Sequence, residues 1–364
     1  MYNHTLLETA DVACARKSPV RARALHIAGS GVYLPSRVVF NPEMEAMLGV
    51  PAGWVERKTG IRRRHFADAG TESSPFMAAR AIEDALREAG GELPELILCA
   101  SAIGARPLPA TACLVQRELG AAWAGVACMD VNCTCLGFLA AMDLAASHFA
   151  CGRYRRIVVA CAEIASRGIN WGDPRSAALF GDAAVAFVFD AEAAEGGDFG
   201  GRFVHHAASP ALLHCKFATH SEGVDACMVR GGALELPSYE HSERNHADYL
   251  FHMDGRRVHE LASRHLPGFL RGFLEEAGVT LGDIDWVVPH QAGLLSMRIM
   301  QRKLGIPPER FVVTIAEHGN VISASIPLAL HIARRAGCVR RGQRVLLVGT
   351  AAGLTLGAAL AQIF

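Results

Sequence analysis

Three side chains of this sequence have types and positions that suit covalent catalysis. Cys135 lies where an apolar segment gives way to an amphipathic one, so we expect its thiol at the N-terminus of a helix. Unpaired N–H groups and the helix dipole stabilise an anion there, and we therefore expect a lowered thiol pKa and a reactive thiolate. His290 and Asn320 each follow a short apolar segment, in loops where α/β proteins commonly carry reactive groups.

Each of these residues also has an ordinary structural interpretation. A free cysteine is most often a small buried hydrophobic side chain, and this chain has 11 cysteines. A lone histidine is usually an ordinary hydrogen-bonded residue, and the neighbouring His318 has a similar context. Cys133 is a rival thiol, which we expect to be a packed neighbour of Cys135. The paired C-x-x-C spacing of a zinc site is missing here, so we expect no metal.

The elements that must position these residues occur twice, in the same order. Strand-like and helical segments alternate from about residue 25 onward, which indicates the α/β class. In each half a strand, a helix, a second strand, a longer helix and a third strand follow one another. The predicted elements are Leu96–Ala100, Cys113–Leu119, Val126–Val131, the helix of Cys135 and Arg156–Ala160 in the first half, and Trp286–Pro289, Leu294–Leu304, Phe311–Thr314, Ser323–Ala336 and Arg344–Val348 in the second.

This duplication predicts how the two halves meet. Cys135 and Asn320 lie at similar distances ahead of the strands that contain Ile157 and Val345, near the start of the equivalent helix. Two similar halves about a pseudo-twofold axis would face both junctions into one cleft. We divide the chain into an N-terminal extension (1–24), a first half with the cysteine (25–200), an irregular connecting or lid region (201–255) and a second half with the histidine and asparagine (256–364).

The composition excludes several classes of protein. The chain has 364 residues, of which 51% are hydrophobic and 20% are charged, as in a globular protein with a large core. Its formal net charge of +0 provides no global field for nucleic acid or an anionic membrane. No apolar run reaches the roughly 18 residues that span a bilayer, and the first 24 residues lack a signal-peptide core. Scattered cysteines fit a reducing compartment, and we expect a cytoplasmic protein.

At Cys135, His290 and Asn320 the sequence resembles the thiolase superfamily, and within it the β-ketoacyl-acyl-carrier-protein synthase III family. The resemblance runs from about Leu25 to Phe364. Seven motifs carry it, in order and with compatible spacing: Gly29–Pro35, Trp54–Ile61, Asp130–Phe138, Phe180–Asp182, Pro289–Ala292, His318–Asn320 and Gly353–Gly357. It implies the five-layer αβαβα thiolase fold, with two duplicated halves, in a homodimer.

The resemblance implies a ping-pong condensation without a bound cofactor. Cys135 would accept an acyl group from acyl-coenzyme A. Malonyl carrier protein, or malonyl-coenzyme A, would then lose carbon dioxide, and its carbanion would attack the acyl-enzyme. His290 and Asn320 would stabilise the enolate, because negative charge developing on oxygen needs preorganised donors. The backbone N–H groups of Cys135 and Ala352 would hold the oxyanion of the acyl-enzyme.

The resemblance also implies binding residues for coenzyme A and the carrier protein. Trp54 would stack on the adenine at the mouth of the pantetheine tunnel, and Lys58 would contact the phosphates. Lys58 replaces the usual arginine, so its contact lacks a bidentate fork. The helix after the histidine carries basic residues that would dock an acidic carrier protein: Arg298, Arg302 and Lys303.

Departures from the family pattern indicate a specialised homologue. Gly293 and Leu295 replace an asparagine and an arginine, and Leu356 replaces a tryptophan; two glycines of the turn before Gly353 are alanines. We therefore expect a medium-chain, aryl or dicarboxylic acyl group rather than acetyl. Leu108 stands where olefin-forming relatives carry a glutamate, and we assign it, with Gly293, to substrate binding.

Two alternatives to decarboxylative condensation stay open. Relatives that esterify hydroxyl groups tend to have aspartate in place of Asn320, so the asparagine favours condensation over simple acyl transfer. A catalytically silent subunit of a heterodimeric synthase would usually have lost part of the Cys-His-Asn set, and all three residues are present. A degradative thiolase would carry a second cysteine in the turn at Thr350–Gly353, which has none.

Overall fold

The computed structural model describes residues 22–90, 92–191 and 211–362. Its first part forms β1 (Arg23–Ala24), β2 (His26–Tyr33), β3 (Arg37–Phe40), α1 (Asn41–Leu48), α2 (Trp54–Thr59), β4 (Arg63–Phe66), α3 (Ser74–Ala89), β5 (Leu96–Cys99), α4 (Thr111–Leu119), β6 (Ala127–Asp130), α5 (Gly137–Ala150), β7 (Arg156–Ile164), α6 (Pro174–Ala177) and β8 (Asp182–Asp190). The rest forms β9 (Ala211–Thr219), β10 (Cys227–Met228), β11 (His252–Met253), α7 (Gly255–Ala277), β12 (Trp286–Pro289), α8 (Leu294–Lys303), α9 (Ile315–His318), α10 (Ser325–Arg335), β13 (Arg344–Ala351) and β14 (Thr355–Gln362).

Two five-stranded mixed sheets form the centre of the fold. Their strand orders are β2-β8-β7-β5-β6 and β1-β9-β14-β13-β12. In the first sheet β5 runs parallel to β7, which pairs antiparallel with β8. In the second, β12 runs parallel to β13, which pairs antiparallel with β14. The same arrangement thus occurs in both halves, which confirms the predicted duplication.

The helices form three layers around the two sheets. α5 and α10 lie between the sheets and share one apolar core with strands of both. α3 and α4 cover the outer face of the first sheet, and α7 and α8 cover the outer face of the second. α5 carries apolar residues on most of its surface, as expected for a helix enclosed on both sides, whereas the outer helices are amphipathic. The predicted five-layer fold is confirmed.

The predicted strand Phe311–Thr314 is wrong for most of its length. Only Phe311 pairs with β12, through a single bridge to Val287. Beyond it, the Gln291 side chain accepts hydrogen bonds from the backbone N–H groups of Thr314 (2.9 Å) and Ile315 (3.1 Å). Those donors are therefore committed to a side chain, and the chain turns into α9 instead of extending the sheet.

Strands from outside the predicted second half complete the second sheet. β9 pairs along its whole length with β14, although the connecting region 201–255 was predicted to be irregular. Its edge pairs with the two-residue strand β1. The predicted irregularity is therefore wrong for Ala211–Thr219, because these residues cover the flank of β14 that would otherwise leave its backbone groups unpaired.

Candidate active site

Cys135 lies in a tight 3₁₀ turn, Thr134–Leu136, between β6 and α5. Asn132 shapes this turn: its Oδ1 accepts a hydrogen bond from the Thr134 N–H (2.9 Å), and its Nδ2 donates to the Ala102 carbonyl (3.0 Å). Thr134 has a φ of 44°, in the left-handed region that non-glycine residues seldom occupy. This bend places Cys135 directly before the first turn of α5, as the sequence predicts.

The prediction that Cys135 has a lowered pKa and forms a thiolate is wrong. Burial, and to a smaller extent the negative charge of Glu163, raise the pKa of the thiol to about 12, although the Cys135 backbone N–H acts in the opposite direction. The reason is that this helix start lies between two sheets, where the loss of water outweighs the helix dipole. Burial also raises the pKa of Cys133, whose side chain packs against the main core as expected. At neutral pH the Cys135 side chain is therefore a protonated thiol.

His290 follows β12 directly, as predicted, and is held in the interior. Its backbone N–H donates to the Val348 carbonyl at the neighbouring strand (2.8 Å), and only 6% of the residue is exposed. Burial lowers the pKa of the imidazole to about 4. Nδ1 is buried and makes no hydrogen bond to the part of the chain that the structure describes. The ring is therefore neutral at physiological pH and has one N–H to donate.

Asn320 is fixed with its amide nitrogen free to donate. Its backbone bridges to the segment before β8, receiving from Gly181 N–H (3.1 Å) and donating to the Leu179 carbonyl (2.7 Å). Its Oδ1 accepts from Ile322 N–H (2.9 Å) and from the Ser325 hydroxyl (3.3 Å). Both donors select the orientation with oxygen on this side, so Nδ2 points the other way and forms no hydrogen bond within the described ranges.

The turns that carry these residues pack against one another. The Cys135 turn contacts β13 and the 3₁₀ turn Ile322–Ala324, which follows Asn320. At Gly349 of β13, a Cβ atom would lie 2.7 Å from the His290 Cβ and 3.2 Å from the Leu136 Cδ2. Gly349 is therefore needed where the histidine loop and the cysteine turn meet. The three predicted residues lie on elements that converge between the two sheets.

The hydrogen bonds correct the predicted register of the duplication. Asn132 accepts from the N–H two residues ahead, and Asn320 does the same with Ile322. Thr134 and Ile322 are also the only non-glycine residues with positive φ in the described ranges, at 44° and 49°. Asn320 is thus the counterpart of Asn132, and the counterpart of Cys135 is Ser323. The sequence analysis paired Cys135 with Asn320 because both residues precede the next strand of their half by a similar number of residues.

The backbone turn predicted to hold an oxyanion follows β13, the strand that contacts the cysteine turn. Ala352 occupies the tight turn between β13 and β14, just after Ala351, which pairs with Thr355. Leu354 and His220 exchange two backbone hydrogen bonds, at 3.0 and 2.8 Å, and so fix this turn against β9. β13 contacts the Cys135 turn, and Ala352 is the first residue after this strand.

Sequence reasoning missed two buried polar residues at the site. Gln291 joins the histidine loop to the segment before α9, through its bonds to Thr314 and Ile315 and through its Nε2, which donates to the carbonyls of Pro289 (2.9 Å) and Val312 (3.2 Å). Glu163 lies at the end of β7, 2% exposed. The signal for Glu163 was available, because an acidic residue inside the apolar run Arg156–Ile164 needs an explanation.

The predicted coenzyme A residues lie on α2, whose C-terminal end contacts the start of α8. Trp54 begins α2 and is half-buried, and Lys58 is exposed in its last turn. The helix ends at Gly60, where a Cβ atom would lie 2.3 Å from a Leu294 methyl group at the start of α8. A cavity of about 100 Å³ opens between α7 and α8, with His290 and residues of β13 in its wall. The remaining wall is mostly apolar: Leu266, Met297, Met300 and Leu304.

The other predicted binding residues are spread over the surface. Leu108 is 85% exposed, in the loop before α4. Arg302 and Lys303 are exposed at the end of α8, but Arg298 is half-buried and donates to the Gln301 side chain (2.8 Å). Gly293 has extended backbone, and a Cβ atom added there would meet no other atom within 4 Å. An asparagine would therefore fit there.

Comparisons with known proteins agree with this geometry. Family models described as "3-Oxoacyl-[acyl-carrier-protein (ACP)] synthase III" and its "C terminal" part match residues 129–206 and 274–363. The chain is 37% identical over 345 residues to a β-ketoacyl-[acyl-carrier-protein] synthase III of Bordetella petrii, a match that spans 93% of this chain and 97% of the relative. The chain belongs to this family. It is therefore an acyltransferase of the condensing type.

Solved structures of this synthase III family share the fold. The 3-oxoacyl-(acyl carrier protein) synthase III of Pseudomonas aeruginosa PAO1 superimposes with a TM-score of 0.80 at 31% identity, covering 94% of this chain and 98% of that one. The priming β-ketosynthase of the R1128 polyketide biosynthetic pathway gives a TM-score of 0.79 at 27% identity, covering 94% and 97%. Among the described residues, no helix is both long and apolar enough to pass through a membrane.

Proposed function

We propose that this synthase III joins an acyl group, carried as a thioester on Cys135, to the carbanion of a decarboxylated malonyl thioester, and releases a β-ketoacyl thioester. The observation that carries the assignment of residues is the fixed orientation of the Asn320 amide. Two donors occupy its Oδ1, so Nδ2 can donate only towards a ligand. A neutral His290 on a neighbouring turn supplies a second donor without adding charge.

Acyl transfer begins from a protonated thiol. The Cys135 sulfur attacks the thioester carbonyl, and its proton leaves with the coenzyme A sulfur as the carbon–sulfur bond breaks. The oxyanion formed at the carbonyl accepts hydrogen bonds from the backbone N–H groups of Cys135 and Ala352. Such donors act strongly where water is excluded, which fits the burial that raises the pKa of this thiol.

Decarboxylation and carbon–carbon bond formation follow at the same place. The malonyl carboxylate leaves as carbon dioxide, and its electron pair forms an enolate on the thioester oxygen. His290 Nε2–H and Asn320 Nδ2–H donate to this oxygen. The enolate carbon then attacks the acyl group, and the Cys135 sulfur leaves and takes up a proton. A neutral imidazole suits this role because burial keeps its pKa near 4.

The substrates reach the site from the side of α2 and α8. Trp54 and Lys58 hold the adenine and phosphates of acyl-coenzyme A, and the pantetheine arm occupies the apolar cavity beside His290. The exposed Arg302 and Lys303 dock the acidic carrier protein that brings the malonyl group. Arg298 contributes less, because its guanidinium is bonded within the helix. No bound cofactor takes part.

The acyl group is larger or more polar than acetyl, and the enzyme acts as a cytoplasmic homodimer. Gly293 and Leu295 leave room and remove polar contacts near the cavity mouth. β6 is an edge strand of its sheet, open to a second copy, and the exposed Leu108 on the adjoining loop would line the partner's substrate pocket. The pathway is fatty acid initiation or a specialised one; the polyketide priming synthase is a relative of the second kind.

A panel of acyl-coenzyme A thioesters tests this function. Intact-protein mass spectrometry should show one acyl adduct with the preferred chain, and peptide mapping should place it on Cys135. The Cys135→Ala variant is the matched control and should gain none. An unmodified wild-type protein across the whole panel would contradict the proposal and support a silent subunit. Acylation that is never followed by loss of carbon dioxide from malonyl thioesters would support simple acyl transfer.

A further inference from the structure

Glu163 is a buried carboxyl group without a compensating cation. It lies near the end of β7, 2% exposed, and no lysine, arginine or histidine pairs with it in the described ranges. Burial raises the pKa of its carboxyl group to about 7, although hydrogen bonds from Ala102 and from the hydroxyl and amide of Ser323 oppose the change. Burying such a group is costly, and the cost calls for a specific role.

The hydrogen bonds of Glu163 reach both turns of the active site. On one side, its Oε1 accepts from the Ala102 N–H (2.6 Å), and the Ala102 carbonyl holds Asn132, which shapes the turn of Cys135. On the other side, the same oxygen accepts a short hydrogen bond from the Ser323 hydroxyl. Ser323 lies in the turn that begins at Ile322, whose N–H fixes the Asn320 amide.

The pseudo-twofold symmetry relates the contact between Glu163 and Ser323 to the site at Cys135. Counted from the first residues of β7 and β13, Glu163 and Ala351 occupy the same position, and Ser323 is the counterpart of Cys135. β13 contacts the Cys135 turn, and β7 contacts the Ser323 turn. The Glu163 carboxylate thus contacts Ser323 in one half. In the other half, the equivalent position beside Cys135 is where the oxyanion of an acyl-enzyme would lie.

We propose that Glu163 is a positioning residue that occupies the symmetry-equivalent anion site at Ser323, and so couples the turn of Cys135 to the turn of Asn320. This inference rests on the roles proposed above for Cys135 and Asn320. It explains why an anion is tolerated in the interior: the Ala102 N–H, whose carbonyl holds Asn132 of the Cys135 side, and the Ser323 hydroxyl both donate to it. It also makes Glu163 the carboxylate whose charge acts on the Cys135 thiol.

The charge of Glu163 affects the pH dependence of Cys135 reactivity, which a purely structural role of Glu163 would leave unchanged. Its charge raises the pKa of Cys135, and the other titratable groups that act on this thiol are Cys133 in the same turn and Cys227 in β10. Asp182 in β8 acts in turn on Glu163. Since the Glu163 carboxyl titrates at about pH 7, removing its charge should matter above that pH and not well below it.

Glu163→Gln tests the proposal, with Glu72→Gln as the matched control. Glu72 is also a buried carboxylate, 5% exposed, that accepts from the Tyr33 hydroxyl (2.6 Å) and from backbone amides. Iodoacetamide labelling of Cys135, followed by peptide mass spectrometry, needs no enzyme activity. We expect Glu163→Gln to label faster than wild type at pH 9, to match it at pH 5.5, and Glu72→Gln to follow wild type throughout.

Kinetics test the positioning itself. Glu163→Ala removes the acceptor of the Ala102 N–H and of the Ser323 hydroxyl. We expect kcat to fall by roughly 100-fold, with little change in KM for acyl-coenzyme A, because small misplacements of reacting groups are costly. Glu163→Gln keeps one oxygen for both donors and should therefore keep most of the wild-type kcat. The proposal is overturned if labelling of Glu163→Gln follows wild type at every pH, or if Glu72→Ala lowers kcat equally. A wild-type protein without acyl adducts would refute the proposed function but leave the labelling test intact.

Discussion

Asn320→Asp separates the two faces of the Asn320 amide. Asparagine and aspartate have the same shape, and an aspartate oxygen can still accept from Ile322 N–H and the Ser325 hydroxyl, at 2.9 and 3.3 Å in the native protein. The turn should therefore survive. What disappears is the Nδ2 donor, and a second carboxylate oxygen takes its place, on the side where we propose that the enolate develops.

The expected loss follows from the value of one preorganised donor. Removing a single oxyanion donor costs about 2.7–4 kcal/mol, or roughly 100- to 1,000-fold in kcat, and a negative charge in its place should increase the loss. Asn320→Ala should lose decarboxylation to a similar extent, but it also leaves the partly buried Ile322 N–H without its acceptor. That should lower its free energy of unfolding by about 1–3 kcal/mol relative to Asn320→Asp.

Three measurements decide the outcome. Carbon dioxide release from a malonyl thioester measures decarboxylation, intact-protein mass spectrometry with acyl-coenzyme A measures acyl transfer, and urea unfolding measures stability. We expect Asn320→Asp to acylate like wild type, to unfold like wild type and to have lost decarboxylation. Decarboxylation by Asn320→Asp within about tenfold of wild type would refute the donor role, because a lost donor costs more than that.

Three further predictions concern the thiol, the docking surface and a buried histidine. The raised pKa of Cys135 predicts that its iodoacetamide labelling rate climbs by about tenfold per pH unit between pH 7 and 10; a plateau below pH 9 would show a lower pKa. Leu295→Arg, at a position 66% exposed in the first turn of α8, should lower KM for the carrier protein at low salt, and an equal effect at high salt would exclude charge as the cause. Burial lowers the pKa of His318 to about 4, below its unfolded value of about 6.5, so the folded protein binds fewer protons between these values, and stability is lost as pH falls through this window. The control is His318→Gln, whose side chain cannot titrate. Between pH 7 and pH 4.5 the urea midpoint of wild type should fall more than that of His318→Gln. A difference between the two midpoints that is the same at both pH values would contradict the lowered pKa.

Local patterns were enough to predict the elements that place the site. Apolar strands and capped helices of the two halves lie within a few residues of the predicted bounds, and the family motifs identified Cys135, His290 and Asn320. The failures involve contacts that no local pattern records. The strand at Phe311–Thr314 is lost because Gln291 takes its backbone donors, and β9 exists because β14 needs a partner on its open side.

The pKa of Cys135 shows why charge was harder to predict than placement. A helix N-terminus alone predicts a thiolate, but the depth of burial and the carboxylate at Glu163 act in the opposite direction and dominate. The burial of Cys135 and the position of Glu163 both depend on how the two sheets pack around α5. The sequence near the cysteine carries no information about that packing. A residue at a helix start can therefore be located from sequence, whereas its protonation state requires the tertiary structure.

The two halves also explain why only one of the equivalent turns carries the proposed nucleophile. Both turns have the same asparagine hydrogen bond and the same left-handed residue, so the backbone geometry is shared. They differ in what the opposing strand places against them: β13 carries Ala351, with only a methyl group, whereas β7 carries Glu163, whose carboxylate accepts from Ser323. In the proposed mechanism the acyl group lies at Cys135, and the Glu163 carboxylate takes the equivalent place at Ser323 and holds both turns in register.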